Sequence, residues 1–146
     1  MRIITNSDMI PLYAQDHDYS RLSILAVDDI PLNLLLIQKM LSRFNFELKT
    51  AANGQQALDM VAQKKPDLIL LDLMMPGIDG FEVIRRLRAN PETQDIQIVI
   101  LSALNSNEDI VKGFNEGANE FITKPIIMEK LLTCVVTQMS IIQAKG

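Results

Sequence analysis

The chain has 146 residues, 48% of them hydrophobic and 22% charged, with 18 acids against 14 bases and a formal charge of −4. That length fits one domain, able to bury roughly 68–70% of its unfolded surface, and the acid excess excludes the basic stripe that nucleic-acid phosphates demand. No apolar run approaches the roughly 18 residues of a membrane span, the amino terminus lacks signal-peptide order, and the single Cys134 cannot close an internal disulfide, so a cytoplasmic setting is expected.

Residues 1–21 read as an extension ahead of a domain covering 22–146. They are polar overall but carry Ile10, Leu12 and Tyr13, which either trail as a tail or dock on the domain; His17 has no metal-ligand spacing around it. Residues 23–27 form a short apolar strand that stops on Asp28-Asp29. Pro31 then suits a first helical turn, and 32–44 read as a helix whose core face is Leu36, Ile37, Met40, Leu41 and Phe44, with Leu34 and Leu35 outside it. A strand at 47–51, a turn at Asn53-Gly54 and a helix at 55–64 with Ala57, Leu58 and Val61 inward follow.

The run 68–71 lacks in/out alternation, which marks a strand covered on both faces, and it ends on Asp72 before a turn rich in Pro and Gly. A helix at 81–89 is closed by Asn90-Pro91; its Arg85, Arg86 and Arg88 read as a solvated face. Residues 96–101 form a fourth apolar strand ending at Ser102, and Gly117 stops a helix at 107–116. A brief strand at 119–123, then Lys124-Pro125, lead to a last helix at 128–143, where Cys134 reads as a small packed residue. Five strands alternating with five helices imply a parallel sheet with helices on both faces and right-handed crossovers.

Taken alone, Asp72 is either a turn cap or a functional acid. Neighbouring parallel strands would bring Asp28, Asp29 and Asp72 to one rim, where open α/β sheets bind ligands. At about 5 Å and an effective dielectric near 20, each like-charged pair repels by roughly 3 kcal/mol. Such a rim calls for a cation, and oxygen donors suit Mg²⁺ better than zinc.

The ordered fragments Val-Asp-Asp, Leu-Asp-Leu-Met-Met-Pro-Gly-Ile-Asp-Gly, Leu-Ser-Ala and Phe-Ile-Thr-Lys-Pro resemble the receiver domain of two-component response regulators over about residues 22–143. The resemblance implies a flavodoxin-like, doubly wound sheet in the order 2-1-3-4-5, with the site between strands one and three. It implies Asp72 as the phospho-accepting nucleophile, Asp28 and Asp29 with the Met74 backbone carbonyl as holders of Mg²⁺, and Lys124 as the cation that offsets phosphoryl charge. Pro125 is expected to follow a cis bond. Ser102 corresponds to the hydroxyl that bonds the new phosphoryl group and Phe121 to the switch aromatic; many receivers carry Thr and Tyr there, and Phe121 has no hydroxyl for a loop carbonyl. Phe121 as core filler is the rival reading. The implied partners are a histidine kinase or histidine phosphotransfer protein and a downstream protein target, with a homodimer as a further option and no direct nucleic-acid or membrane contact.

Three rivals weaken on particular residues. A haloacid-dehalogenase-type hydrolase places a second acid two residues after its nucleophile, where this chain has Met74. A flavodoxin offers amides and hydroxyls to a phosphate after its first strand, where Asp28-Asp29 would repel one. A degenerate receiver would lack chemical positions that are all filled here, so the only chemistry expected is the domain's own phosphorylation and dephosphorylation rather than turnover of a separate substrate. With no output segment before Gly146, the chain reads as a standalone receiver or phosphorelay intermediate, or as the receiver portion of a larger regulator. Asn33 after the acid pair resembles receivers attached to hybrid kinases or cyclic-dinucleotide enzymes. The excess apolar surface expected on helices one and five marks a docking face.

Overall fold

The computed structural model describes residues 18–145. In chain order the elements are β1 (Ser23–Val27), α1 (Pro31–Met40), β2 (Glu47–Ala51), α2 (Gly54–Gln63), β3 (Leu68–Leu71), α3 (Gly80–Ala89), β4 (Gln97–Ser102), α4 (Asn107–Glu116), β5 (Glu120–Thr123) and α5 (Met128–Lys145). The five strands form one parallel sheet, as the alternating pattern predicts, in the order β2-β1-β3-β4-β5 that the receiver resemblance implies. Local chemistry sets the helix ends. The side chains of Asn53, Asp79 and Ser106 each accept an N–H from the first turn of α2, α3 and α4, and Gly117 closes α4 at φ 119, in the left-handed region that a residue with a β-carbon resists.

Because side chains alternate along each strand, the central strands feed two cores. On one face Ile24, Ala26, Leu68, Leu70, Val99 and Leu101 pack against α1 and α5; on the other Leu25, Val27, Ile69, Leu71, Ile98 and Ile100 pack against α2, α3 and α4. No helix among the described residues is long and apolar enough to cross a membrane.

The inward face of α1 departs from the sequence reading. Ile37 and Leu41 are buried, with Leu34 and Phe44 packed against the same core, while Leu36 is 43% exposed. Apolar residues circle α1 almost completely, so periodicity fits several faces, and contact with β1 and α5 selects the one running through positions 34, 37, 41 and 44. The apolar arc of α5 is a second correction. Leu131, Leu132, Val135, Val136 and Met139 are all fully buried and Ile142 packs beside them, leaving Ile127 and Ile141 exposed. That helix packs against the sheet beside α1, so most of the width of its apolar arc is core.

Arg88 is the third correction. It is half-buried and donates to the carbonyls of Gly117, Gln94 and Ile96 and to Asn119 Oδ1 at 2.6–3.0 Å, whereas Arg85 and Arg86 remain at the surface paired with Glu82 and Glu116. Burial pulls the Arg88 guanidinium below its ordinary value. Its work is to tie the end of α3 to the connection entering β5. Tyr19, within the stretch read as extension, is buried against Phe44, its N–H bonded to Asn45 Oδ1 at 2.8 Å. Ile10, Leu12, Tyr13 and His17 lie outside the described residues.

Candidate functional site

The carboxyl ends of β1, β3, β4 and β5 meet at one rim because the register is continuous across them: Val27 pairs with Leu71, Leu71 with Ile100 and Ser102 with Thr123. One residue beyond, the backbone still obeys the sheet. Asp28 N–H donates to Ala51 O at 3.1 Å, Asp72 N–H to Val27 O at 3.0 Å, and Lys124 N–H to Ser102 O at 2.8 Å. The chemical side chains therefore hang from hydrogen-bonded strand ends and not from free loops, which holds them still without any ligand.

Carboxylate oxygens of Asp28, Asp29 and Asp72 lie within 4.8 Å of one another. Asp28 and Asp72 are buried and Asp29 is half-buried. Three donors hold the Asp28 carboxylate: Ile30 N–H at 2.9 Å on Oδ1, and Lys124 Nζ at 2.9 Å with Asn33 Nδ2 at 3.1 Å on Oδ2. Lys124 also reaches 3.7 Å from Asp72 Oδ1, so one ammonium lies between two of the three acids. Burial pushes the Asp72 carboxyl above its ordinary value and the charges of Asp28 and Asp29 add to that; Lys124 and the Met74 N–H, 3.4 Å from Oδ1, pull the other way. A donor set of carboxylate oxygens alone, with no imidazole or thiolate in the cluster, fits a hard divalent cation such as Mg²⁺.

The loop after Asp72 needs glycine twice. Gly77 has φ 81. Gly80 opens α3 with its N–H on Leu73 O at 3.0 Å, and a β-carbon there would lie 2.5 Å from the Asp72 carbonyl oxygen. This close approach sets the start of α3 directly behind the acid. Met74 is 56% exposed and brings a thioether, not a proton donor, to the rim. Ser102 is fully buried and its Oγ accepts the Leu104 N–H at 3.2 Å. Phe121 is half-buried among the α4-side core; a β-carbon on Gly113 would lie 3.1 Å from its ring, so the bare helix surface at Gly113 seats it. The Lys124-Pro125 bond is cis, as expected.

Sequence reasoning assembled Asp28, Asp29, Asp72, Ser102 and Lys124 from their shared position after apolar runs. It gave Asn33 no role at the site, although an amide five residues beyond Asp28, one helical turn into α1, was the available signal.

If the three acids bind a divalent cation and otherwise repel, Asp29→Asn raises the melting temperature of metal-free protein and blunts the rise produced by Mg²⁺. A cation at a hundredfold over its Kd stabilises by about 2.7 kcal/mol, so calorimetry with and without chelator resolves the change. A lower metal-free melting temperature in the variant contradicts the repulsion.

Residues 24–136 match the response regulator receiver domain family. Response regulator PleD of Caulobacter vibrioides is 47% identical over 103 residues, 70% of this chain and 23% of that protein. A putative response regulator from Chloroflexus aurantiacus superposes with a TM-score of 0.77 at 29% identity over 82% of this chain and 98% of its own, and the Mn²⁺-bound form of response regulator Rcp1 with 0.71 at 28% over 82% and 92%. The chain spans less than half the length of the first curated relatives it matches. A parallel sheet in the order 2-1-3-4-5, three acids gathered at its rim beside a lysine, and a family match over most of the length converge: the chain belongs to the response regulator receiver domains.

Proposed function

We propose that Asp72 is the phospho-acceptor of a two-component or phosphorelay pathway, and that phosphorylation switches a protein-interaction surface. The observation that carries this reading is the triad of carboxylates within 4.8 Å, bridged by Lys124, at the rim of a receiver fold. An Asp72 oxygen attacks the phosphorus of a phosphohistidine on a kinase or phosphotransfer protein; the O–P bond forms, the P–N bond breaks, and its electron pair stays on the imidazole, which takes a proton from solvent. Mg²⁺ held by Asp28, Asp29, Asp72 and the Met74 carbonyl would neutralise charge on the transferring group. PleD and Rcp1, both named as response regulators, and the Mn²⁺ of the Rcp1 structure support the acceptor and the metal.

Lys124 supplies a point charge that can follow the phosphoryl oxygens. Ser102 turns its hydroxyl to the new dianion; the loop after β4 follows, and Phe121, seated against Gly113, turns from there into the space that the loop vacates. The chain turns over no separate substrate, since Met74 leaves the position beyond Asp72 without an acid or base. The setting is the cytoplasm, where kinases present phosphohistidine.

The test is intact-mass measurement after incubation with acetyl phosphate. One phosphoryl group is gained with Mg²⁺ and none with chelator. Equal labelling in both removes the metal from the reading.

A further inference from the structure

Between Pro31 and Ile37 the chain reads Leu-Asn-Leu-Leu-Leu, and Asn33 is the one polar side chain in that run. Helix propensity does not ask for it, since asparagine is a poorer helix former than the leucines around it. Its place in the fold accounts for it. Asn33 is the third residue of α1, and helical side chains lean toward the helix N-terminus, which here is the end that meets the rim. Its Nδ2 donates to Asp28 Oδ2 at 3.1 Å.

The same oxygen carries a second donor. Lys124 Nζ lies 2.9 Å from Asp28 Oδ2 and 3.7 Å from Asp72 Oδ1, so the ammonium is bonded to Asp28 and only near the nucleophile. The two carboxylates are unequally supported. Asp28 accepts from the Ile30 N–H, Asn33 and Lys124, whereas Asp72 has the Met74 N–H at 3.4 Å. Asp28 is 2% exposed, which leaves water little room to take the place of a departing donor. A buried carboxylate oxygen stripped of its donors carries a desolvation cost, and each such oxygen has lone pairs for two donors.

We propose that Asn33 is a positioning residue for phosphoryl transfer: it keeps Asp28 Oδ2 bonded while Lys124 moves from Asp28 to a phosphoryl oxygen on Asp72. The amide shares Oδ2 with the ammonium before transfer and holds it alone afterwards, which lowers the cost of releasing the ammonium. That role rests on the phospho-acceptor reading; the hold on Asp28 does not.

The test is a double-mutant cycle in the full chain with Asn33→Leu and Lys124→Met. It is read by the initial rate of acetyl phosphate labelling at saturating Mg²⁺ and by chemical denaturation in chelator. Leu keeps the branched shape of Asn and is the better helix former, so it removes the donor without weakening α1. Asn33→Leu alone slows labelling roughly tenfold, the worth of one hydrogen bond to a charged group. In the Lys124→Met background the same change leaves the slow residual rate within about twofold, because no ammonium remains to be released. Stability runs the other way. Asn33→Leu raises the unfolding equilibrium constant roughly tenfold more in Lys124→Met than in the parent, since Asp28 Oδ2 then has neither donor.

An unchanged rate in Asn33→Leu overturns the proposal. An equal fall in both backgrounds overturns it too, since Asn33 would then act on the metal or the fold and not through Lys124. Unfolding effects that simply add remove the shared hold on Asp28 and the role with it. If the parent takes no phosphoryl group, the phospho-acceptor reading fails and the positioning role falls with it, while coupled unfolding effects still verify the hold on Asp28.

Discussion

Asp72→Asn gives a protein that acquires no phosphoryl group from acetyl phosphate at any Mg²⁺ concentration, and one that melts higher than the parent in chelator. Loss of labelling is complete because an amide oxygen cannot act as the nucleophile and no neighbouring acid stands in for it: Asp28 is already held by Lys124, Asn33 and the Ile30 N–H. The rise in stability follows from the sign of the shift. The carboxyl of Asp72 titrates higher folded than at its ordinary value of 3.8, so the folded state binds that proton more tightly and stability falls as pH rises from the ordinary value through the raised one. Above the raised value this cost is fully developed in the parent and absent in the amide. The gain in melting temperature should therefore shrink below pH 4. Labelling that persists in the variant would falsify the assignment of the nucleophile; a lower melting temperature at neutral pH would instead mean that the acid is paired more strongly than it is desolvated.

Lys124→Met has the opposite effect on stability. The lysine lies 2.9 Å from Asp28 and 3.7 Å from Asp72, with its side chain only 17% exposed, and Met keeps most of its volume while removing the charge. Two buried carboxylates are left without their cation, and breaking such a pair costs about 3 kcal/mol or more. Chemical denaturation in chelator measures it. Mg²⁺ restores part of the loss, since a cation held by the same acids supplies the missing charge, yet phosphoryl labelling stays well below that of the parent because the variant offers no ammonium to the phosphoryl oxygens. A variant as stable as the parent in chelator shows that solvent screens the acids and that Lys124 matters only to the transferring group.

Much of this site is legible in the chain because most of its chemical residues stand where an apolar run stops. A run without alternation is a strand covered on both faces, and the residue that ends it stands at the rim whatever surrounds it; Asp28, Asp72 and Ser102 are placed by that rule, while Lys124 follows the short, partly exposed β5. The caps at Asn53, Asp79 and Ser106 are legible for a similar reason, as their hydrogen bonds close within three residues.

What the chain leaves open is every choice that depends on a distant neighbour. Leu34 and Leu36 have the same chemistry two positions apart on a helix ringed by apolar residues, and the contact with the sheet turns Leu34 in and Leu36 out. Arg88 reads like Arg85 and Arg86 until α4 ends beside it and offers the Gly117 carbonyl and Asn119. Gln97 and Gln138 are polar yet buried, and Gln97 Nε2 donates to Gln138 Oε1 at 2.5 Å across 41 residues of sequence. Tyr19 becomes core because Phe44 packs against it and Phe46 stacks on Phe44. The order of the elements and the residues at their ends follow from hydrophobic runs and short-range hydrogen bonds, both local to the chain. Which face of α1 turns inward, how far around α5 the core extends and which polar side chains are buried follow from packing, because burial belongs to a residue's partners and not to the residue.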